Sequence, residues 1–328
     1  MVQVYYADDE ITLEDNESVL DGLLRSGHQV PNSCRAGACQ SCLMVSEDQV
    51  PPQSQVGLSE AQKSMGYFLS CSCKPADPIR VSFDRAAHKS VAGTVLQKTS
   101  LAKDIVRLRL KMPDSFVYEP GQFVTLFKSP ELSRSYSLAS VPGCEDFIEL
   151  HIKRYPDGAF SPWVSDDLEV GTVLQVQGPK GVCFYALPDN EKDKPLLLVG
   201  LSTGLAPLYG IVRSALQQGH TGPINLIVGS KHSDSLYLLP ELVELMQQVP
   251  NVSVYFLAQD VDESDERVKQ FGVQQGDIYE FTQEMCSDLK EAKVFLCGAE
   301  SFVKKMKRQC FMAGAGMKAI FADAFLPT

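Results

Sequence analysis

Three closely spaced cysteines are the residues of this 328-residue chain with the clearest chemistry. Cys34, Cys39 and Cys42 follow the spacing C-x4-C-x2-C, and Cys71 and Cys73 lie further along the chain. Thiolates are soft, negatively charged ligands, so three of them in one short loop need a shared cationic centre. This spacing, completed by one distant cysteine, is typical of a [2Fe–2S] cluster.

Clustered cysteines have two other common uses, a structural zinc site and a disulfide framework. Zinc sites usually consist of two separated C-x2-C pairs, which this spacing does not match. Disulfide frameworks are concentrated in small secreted domains. Apolar and polar residues alternate over the N-terminal residues 1–6, which predicts a strand and not a targeting segment. An iron–sulfur cluster is therefore the favoured interpretation, and zinc is the alternative.

Composition narrows the class of protein further. The formal net charge is −11 and the pI is about 5.0, which disfavours a nucleic-acid partner. Hydrophobic residues make up 44% of the chain, enough for two or three ordinary globular domains. No apolar run approaches the roughly 18 residues that a membrane span needs. Because thiolate ligands persist where cysteines stay reduced, we expect a cytoplasmic protein.

Hydrophobic periodicity divides the chain into three blocks with predicted bounds 1–84, 88–188 and 194–328. Residues 84–89 are polar and are predicted to form a linker. The second block has short alternating strands, such as 106–111, separated by Gly and Pro turns, which indicates an antiparallel barrel. The third block alternates apolar strands with helices, the last two predicted near 282–288 and within 300–313, which indicates a doubly wound α/β domain.

The first block resembles a plant-type ferredoxin domain with a β-grasp fold. Strand patterns, a helix pattern, the cysteine loop and further strands follow one another in the ferredoxin order. The apolar residues before Cys71 resemble the ferredoxin strand that delivers the last ligand, which leaves Cys73 as a spare thiol. The cluster ligands implied by the resemblance are Cys34, Cys39, Cys42 and Cys71.

The second block contains the tetrapeptide R-x-Y-S just after a predicted strand. This motif resembles the FAD domain of ferredoxin–NAD(P)+ reductase-like proteins. An arginine fork suits a diphosphate oxygen, and a tyrosine ring can stack on the isoalloxazine. The resemblance implies that Arg134 and Tyr136 bind FAD. It also implies that the Ser137 hydroxyl acts catalytically beside the flavin N5.

Two further segments of the second block match the same family. The segment 151–154 resembles the second flavin strand, although a solvated charged face is the alternative for Lys153. The segment 158–161 is predicted to open a helix that runs to Leu168 and to cradle the FAD pyrophosphate at its N-terminus. The additional FAD-binding residues implied by the resemblance are His151, Lys153, Gly158, Phe160 and Ser161.

The third block contains the segment 200–207, which resembles the nicotinamide loop G-G-T-G-x-A-P of these reductases. Leu201 and Ser202 stand where two glycines are common. Cys297 precedes Gly298 as in the family's C-G pair, whose thiol acts over the nicotinamide C4. The residues implied to bind cofactor here are Gly200, Thr203, Gly204 and Phe325, the last as an aromatic ring that covers the flavin.

Taken as a whole, the chain resembles the one-chain reductases of bacterial oxygenase systems, such as benzoate dioxygenase reductase and the phenol and methane monooxygenase reductases. The resemblance implies a multidomain α+β protein: a β-grasp ferredoxin domain, an antiparallel β-barrel FAD domain and a doubly wound α/β nicotinamide domain. It implies a monomer that uses NADH or NADPH, FAD and a [2Fe–2S] cluster to reduce a separate terminal oxygenase or monooxygenase component. NADH is the favoured nucleotide.

Two alternatives to this function stay open. The same reductase chemistry could serve a cytochrome P450 or a deoxysugar dehydratase. A non-catalytic protein could instead bind zinc in the cysteine loop and a nucleotide in the α/β domain.

Overall fold

The computed structural model describes residues 2–32, 34–37, 40–58, 62–63, 65–83, 90–129 and 132–325. The predicted ligand Cys39 and the predicted linker, residues 84–89, lie outside the described residues. Within these ranges, no helix combines the length and the apolarity that crossing a bilayer requires.

The N-terminal block forms a small sheet in the order β2-β1-β5 beside the hairpin β3-β4. Its helix α1, Val19–Arg25, begins where the Ser18 hydroxyl accepts a hydrogen bond from the Asp21 amide at 3.2 Å. The helix buries Leu20 and Leu23 against the sheet. The strands are β1 Gln3–Tyr6, β2 Asp9–Thr12, β3 Leu43–Val45, β4 Tyr67–Leu69 and β5 Ile79–Val81.

The second block is a six-stranded antiparallel sheet in the order β10-β7-β6-β11-β8-β9. A bridge between Leu138 and Leu150 joins the two outer strands, so the sheet closes into a barrel. The strands are β6 Ser90–Ala102, β7 Ile105–Lys111, β8 Phe123–Ser129, β9 Leu132–Ser137, β10 Ile148–Lys153 and β11 Val173–Lys180. Along β7, Leu108 and Leu110 are fully buried inside the barrel while the intervening arginines face outward.

The third block is a six-stranded parallel sheet in the order β15-β14-β13-β12-β16-β17, with helices packed on it. The strands are β12 Leu196–Leu201, β13 Ile224–His232, β14 Val252–Asp260, β15 Gln274–Gln275, β16 Lys293–Ala299 and β17 Ile320–Phe325. The helices are α2 Leu205–Gln217, α3 Leu239–Gln248, α4 Glu266–Gln270, α5 Ile278–Met285 and α6 Glu300–Met312. The doubly wound α/β interpretation of this block is confirmed.

Shorter helical turns connect these elements. They are the 3₁₀ turns Pro52–Gln55, Ser70–Ser72, Asp189–Glu191, Ser202–Gly204, Ser233–Ser235 and Met317–Ala319, and the π turn Trp163–Asp167.

The barrel and the parallel sheet share a packed interface. Ile105, Cys183 and Tyr185 come from the barrel segment, yet they belong to the hydrophobic core of the α/β block. A Cβ on Gly210 of α2 would lie 3.1 Å from the carbonyl oxygen of Ala139, so this helix lies directly on the barrel backbone. The two blocks therefore hold each other in a defined position.

Three local predictions differ from the structure. The motif at 134–137 lies within β9 rather than after a strand. The helix predicted near 282–288 is Ile278–Met285, because the Asp277 carboxylate caps its start by accepting from the Tyr279 amide at 2.7 Å. The C-terminal strand β17 was not predicted, since its six residues show no alternation of apolar and polar side chains and its pairing with β16 is non-local.

Candidate functional site

A cavity of about 790 Å³ lies where the three blocks meet. It is bordered by Cys34 of the cysteine loop, Tyr136 of β9, Thr203 after β12 and Phe325 of β17. The predicted FAD- and nicotinamide-binding residues that border it are Arg134, Tyr136, Ser137, His151, Lys153, Gly158, Phe160, Ser161, Thr203 and Phe325. Folding thus brings together segments that the sequence separates by up to three hundred residues.

The cysteine loop points amide groups at its thiols. The Gly37 amide donates to Cys71 Sγ at 3.3 Å, and the Ala36 amide donates to Cys34 Sγ at 3.4 Å. The neighbouring thiol of Cys42, burial and the thiol of Cys34 all raise the pKa of Cys71. Thiols held this close need a cationic centre to become thiolates together, so the donor set fits an iron–sulfur cluster.

The surroundings of the Cys73 thiol differ from those of Cys71, because no other cysteine shifts its pKa. Its side chain is fully buried in the core of the N-terminal block, and burial raises the pKa of its thiol to about 12. These contacts support a packing role for Cys73. The assignment of Cys71 as the last ligand stays a prediction, supported by the Gly37 amide that points at its sulfur.

Aromatic side chains form one wall of the cavity. The Tyr136 and Phe160 rings lie 5.9 Å apart between centroids, and Phe160 in turn packs edge-on against Trp163 at 5.3 Å. Burial raises the pKa of Tyr136, so its phenol stays neutral. Arg134 borders the same cavity and donates to the carbonyl oxygen of Ser133 at 2.7 Å. An aromatic wall beside one guanidinium fits a flavin and its diphosphate.

The loop beyond β10 carries two more predicted FAD residues. The Gly158 amide donates to the Tyr155 carbonyl oxygen at 2.9 Å, and the Ser161 hydroxyl accepts from the Tyr155 amide at 3.0 Å. The helix that residues 158–161 were predicted to open is present: its helical residues run from Ser161 to Asp167, and the last five form the π turn Trp163–Asp167. A helix this short has a small dipole, so the loop before it must supply most of any contact with pyrophosphate.

Ser137 reaches a residue that the sequence did not single out as functional. Its hydroxyl donates to Asp323 Oδ2 at 2.6 Å, which joins β9 of the barrel to β17 of the parallel sheet. Burial raises the pKa of Asp323 to about 6, and both side chains border the cavity. One signal in the sequence was available: Asp323 is the one charged residue in the otherwise apolar strand Ile320–Phe325.

The loop after β12 shows why glycines suit it. Ser202 has φ +56°, a left-handed conformation that costs a residue with a Cβ about 1 kcal/mol. A Cβ on Gly204 would lie 2.0 Å from the Cys297 carbonyl oxygen, so this position admits only glycine. Gly200 and Gly204 do not border the cavity, and their contacts are with packed neighbours. Their cofactor-binding roles stay predictions.

Replacing Ser202 with glycine should stabilise the protein by up to about 1 kcal/mol, because glycine adopts a left-handed backbone without strain. Thermal unfolding of the apoprotein measures the gain. Ser202→Ala is the matched control: it removes the hydroxyl, which lies 3.4 Å from Lys153 Nζ, but it keeps the Cβ. A gain as large in Ser202→Ala would refute the backbone explanation.

Three family models match successive parts of the chain. A 2Fe-2S iron–sulfur cluster binding domain matches residues 5–76, an oxidoreductase FAD-binding domain matches 92–185, and an oxidoreductase NAD-binding domain matches 198–308. Their order and positions agree with the three blocks of the structure.

Known relatives match the chain along most of its length. The reductase component of the naphthalene 1,2-dioxygenase system of Pseudomonas putida, a ferredoxin–NAD(P)+ reductase, is 29% identical over 94% of both chains. The reductase subunit of an aromatic O-demethylase of Amycolatopsis is 32% identical over 73% of this chain and 75% of the relative. The chain belongs to the ferredoxin–NAD(P)+ reductase family. It is an oxidoreductase with sites for FAD, NAD(P) and a [2Fe–2S] cluster.

The structure of this ferredoxin–NAD(P)+ reductase agrees with that of a solved relative. The crystal structure of an Amycolatopsis cytochrome P450 reductase superposes with a TM-score of 0.71 at 25% identity, over 100% of this chain and 99% of that one. The predicted sequence of folds, from β-grasp to barrel to α/β domain, is confirmed.

The reductase holds Cys297 away from the cavity. Its thiol is fully buried, 3.8 Å from the thiol of Cys183, and burial raises its pKa well above the usual range. The cavity lining does not include it. A direct role at the nicotinamide stays a prediction, and it would require a rearrangement of the strand end that covers this thiol.

Proposed function

We propose that this reductase delivers its electrons to a separate oxygenase or monooxygenase component. The observation that carries the proposal is the single cavity bordered by the cluster loop, the flavin strands and the nicotinamide loop. Two relatives that match along nearly the whole chain, the naphthalene dioxygenase reductase component and a propane 2-monooxygenase reductase component of Gordonia, support an oxygenase as the acceptor.

Bound FAD would supply the chemistry that links a two-electron hydride donor to a one-electron cluster. The residues of this chain supply position and electrostatics. Arg134 and Tyr136 hold the flavin, and Ser137 with Asp323 places a hydroxyl beside it. Amides of the cysteine loop favour thiolate charge at the cluster.

NADH is the proposed nucleotide. The adenosine ribose in this fold lies at the end of the second strand of the parallel sheet, here the end of β13. The Ser230 hydroxyl there donates to the His232 carbonyl oxygen and is buried, so it does not face a 2′-phosphate. The carboxylate of Asp260, 3.2 Å from His232 Nδ1, places negative charge nearby. A lower KM for NADPH than for NADH would contradict this assignment.

The proposed reductase is a cytoplasmic monomer. Seven cysteines that the structure describes form no disulfide, as a reducing compartment permits: Cys71, Cys73, Cys144, Cys183, Cys286, Cys297 and Cys310. Analytical ultracentrifugation at physiological salt should give the mass of one chain, 36.1 kDa plus cofactors.

A cytochrome P450 is the second candidate acceptor, because a solved relative that covers the whole chain is a cytochrome P450 reductase. Anaerobic, NADH-reduced protein can be mixed with a P450 under carbon monoxide or with a dioxygenase that carries an iron–sulfur centre. Bleaching of the oxygenase centre at the faster rate supports the proposal, and faster formation of the reduced P450–carbonyl band contradicts it. Loss of both in Cys34→Ser would show that the electrons leave through the cluster.

A further inference from the structure

A buried polar network connects the barrel to the nicotinamide domain on the outer face of β7 and β10. Its centre is Glu149, whose carboxylate lies 2.6 Å from Arg109 Nε, 3.3 Å from Arg107 Nε and 3.0 Å from His151 Nε2. Burial alone would raise the pKa of Glu149, but His151 and the two arginines lower it to about 2. Glu149 is therefore ionised at neutral pH, and both of its carboxylate oxygens have a partner in the network.

The imidazole of His151 extends this network across the domain boundary. Its Nδ1 lies 3.2 Å from the hydroxyl of Tyr237, and the two rings meet edge-on at 5.2 Å. Burial lowers the pKa of His151, so the ring is neutral. Because the Glu149 carboxylate can only accept, Nε2 carries the proton and Nδ1 accepts from Tyr237. The hydrogen bonds thus fix one tautomer and one direction.

The two partners of this hydrogen bond lie in, or directly beside, segments that are proposed to bind cofactors. Lys153, two residues beyond His151 on β10, borders the cavity. Tyr237 closes the segment 230–236, which comprises the end of β13 and the turn after it, where the adenosine end of a dinucleotide lies in this fold. A second crossing pairs Arg107 with Glu241 of α3 at 3.4 Å. The network therefore lies between the flavin strand and the proposed dinucleotide segment.

The backbone beside Tyr237 is strained. Leu238 has φ +56° and ψ +23°, a left-handed conformation that is unfavourable for a bulky residue. Surrounding contacts must maintain such a conformation, and strained positions are concentrated at sites where geometry matters. The hydroxyl of Tyr237, fixed by His151, is a contact of this kind.

We propose that Tyr237 is a positioning residue: its hydrogen bond to His151 sets the dinucleotide segment relative to the flavin strand and so fixes the distance for hydride transfer. The inference rests on the proposed nicotinamide-dependent function. It assigns to Tyr237 a role that acts through His151, without contact to either cofactor.

The chain contains a matched control for this pair. The Tyr185 hydroxyl lies 3.1 Å from His220 Nδ1, and these two rings also meet edge-on, at 5.7 Å. Both tyrosines are almost fully buried, but Tyr185 and His220 do not border the cavity. Tyr185→Phe therefore removes the same kind of hydrogen bond away from the cofactor segments.

Stopped-flow reduction of the bound flavin by NADH tests the proposal. Tyr237→Phe should slow it about tenfold at saturating NADH with unchanged FAD content, because small misplacements cost large factors in rate. Tyr185→Phe should leave the rate within twofold of wild type. Similar melting temperatures for the two variants, with equal rates of flavin reduction, would overturn the proposal by showing a merely structural role.

A second readout needs no turnover. Amide hydrogen exchange over residues 230–238 of nicotinamide-free protein should be faster in Tyr237→Phe and unchanged in Tyr185→Phe. If Tyr237→Phe does not fold, Glu241→Gln weakens the second crossing at a partly exposed side chain and should speed the same exchange. No change in that variant would overturn the proposal. Wild-type flavin that NADH fails to reduce would instead refute the proposed function.

Discussion

Cys34→Ser is expected to separate two activities of the reductase: reduction of ferricyanide by NADH persists, and reduction of cytochrome c is lost. Cys34 borders the cavity that the flavin residues share, and its thiol is one of the group around Cys71. A serine hydroxyl is a poor ligand for iron, so the one-electron exit is removed while the flavin site stays intact. Anaerobically prepared protein, assayed with both acceptors, measures the separation.

Two control variants make this result specific. Cys73→Ser alters a buried thiol of the same domain, and Cys144→Ser alters an exposed thiol of the barrel domain. Cys144→Ser should retain both activities and the full iron content. Cys73→Ser should retain iron in whatever fraction of the protein folds. Survival of cytochrome c reduction in Cys34→Ser, with its iron content halved or lower, would show that the cluster is not the exit.

Ser137→Ala should slow the reduction of bound flavin by NADH about a hundredfold. The hydroxyl is held by Asp323 at 2.6 Å and borders the cavity, so its loss removes a positioned polar group next to the reacting atoms. Stopped-flow absorbance of the flavin measures the rate. Ser135→Ala is the matched control, since that serine borders the same cavity but bonds to Thr125 at 3.0 Å. Equal rates in the two variants would exclude a special role for Ser137.

Asp323 makes the stability of the folded reductase sensitive to pH. Burial raises the pKa of its carboxyl from 3.8 to about 6, so the folded protein favours the protonated form. The stability that this preference contributes is fully present below about pH 4 and is lost as the pH rises through 6. In wild type, the free energy of unfolding should therefore fall between about pH 4 and pH 6, and Asp323→Asn should make that fall smaller. Urea unfolding of apoprotein across that range measures it, and an unchanged pH profile would contradict the shift.

Local patterns in the sequence determined the modules and much of the chemistry. The loop from Cys34 to Cys42 predicts a cluster from its sequence alone, because the three predicted ligands in it lie within nine residues of one another. Apolar and polar residues alternate along strands such as Ile105–Lys111 because one face is buried in the barrel. Such a strand can therefore be predicted from the order of a few residues. The R-x-Y-S motif of β9 is likewise a contiguous segment.

Only the tertiary structure decided which groups meet. Ser137 and Asp323 are 186 residues apart, and no periodicity relates them. His151 borders the cavity, yet both of its ring nitrogens are engaged by Glu149 and Tyr237. Cys297 carries a thiol of the expected type at the expected strand end, but packing covers it. These contacts depend on how the barrel lies against the parallel sheet, and that placement results from long-range burial that no short stretch of residues encodes.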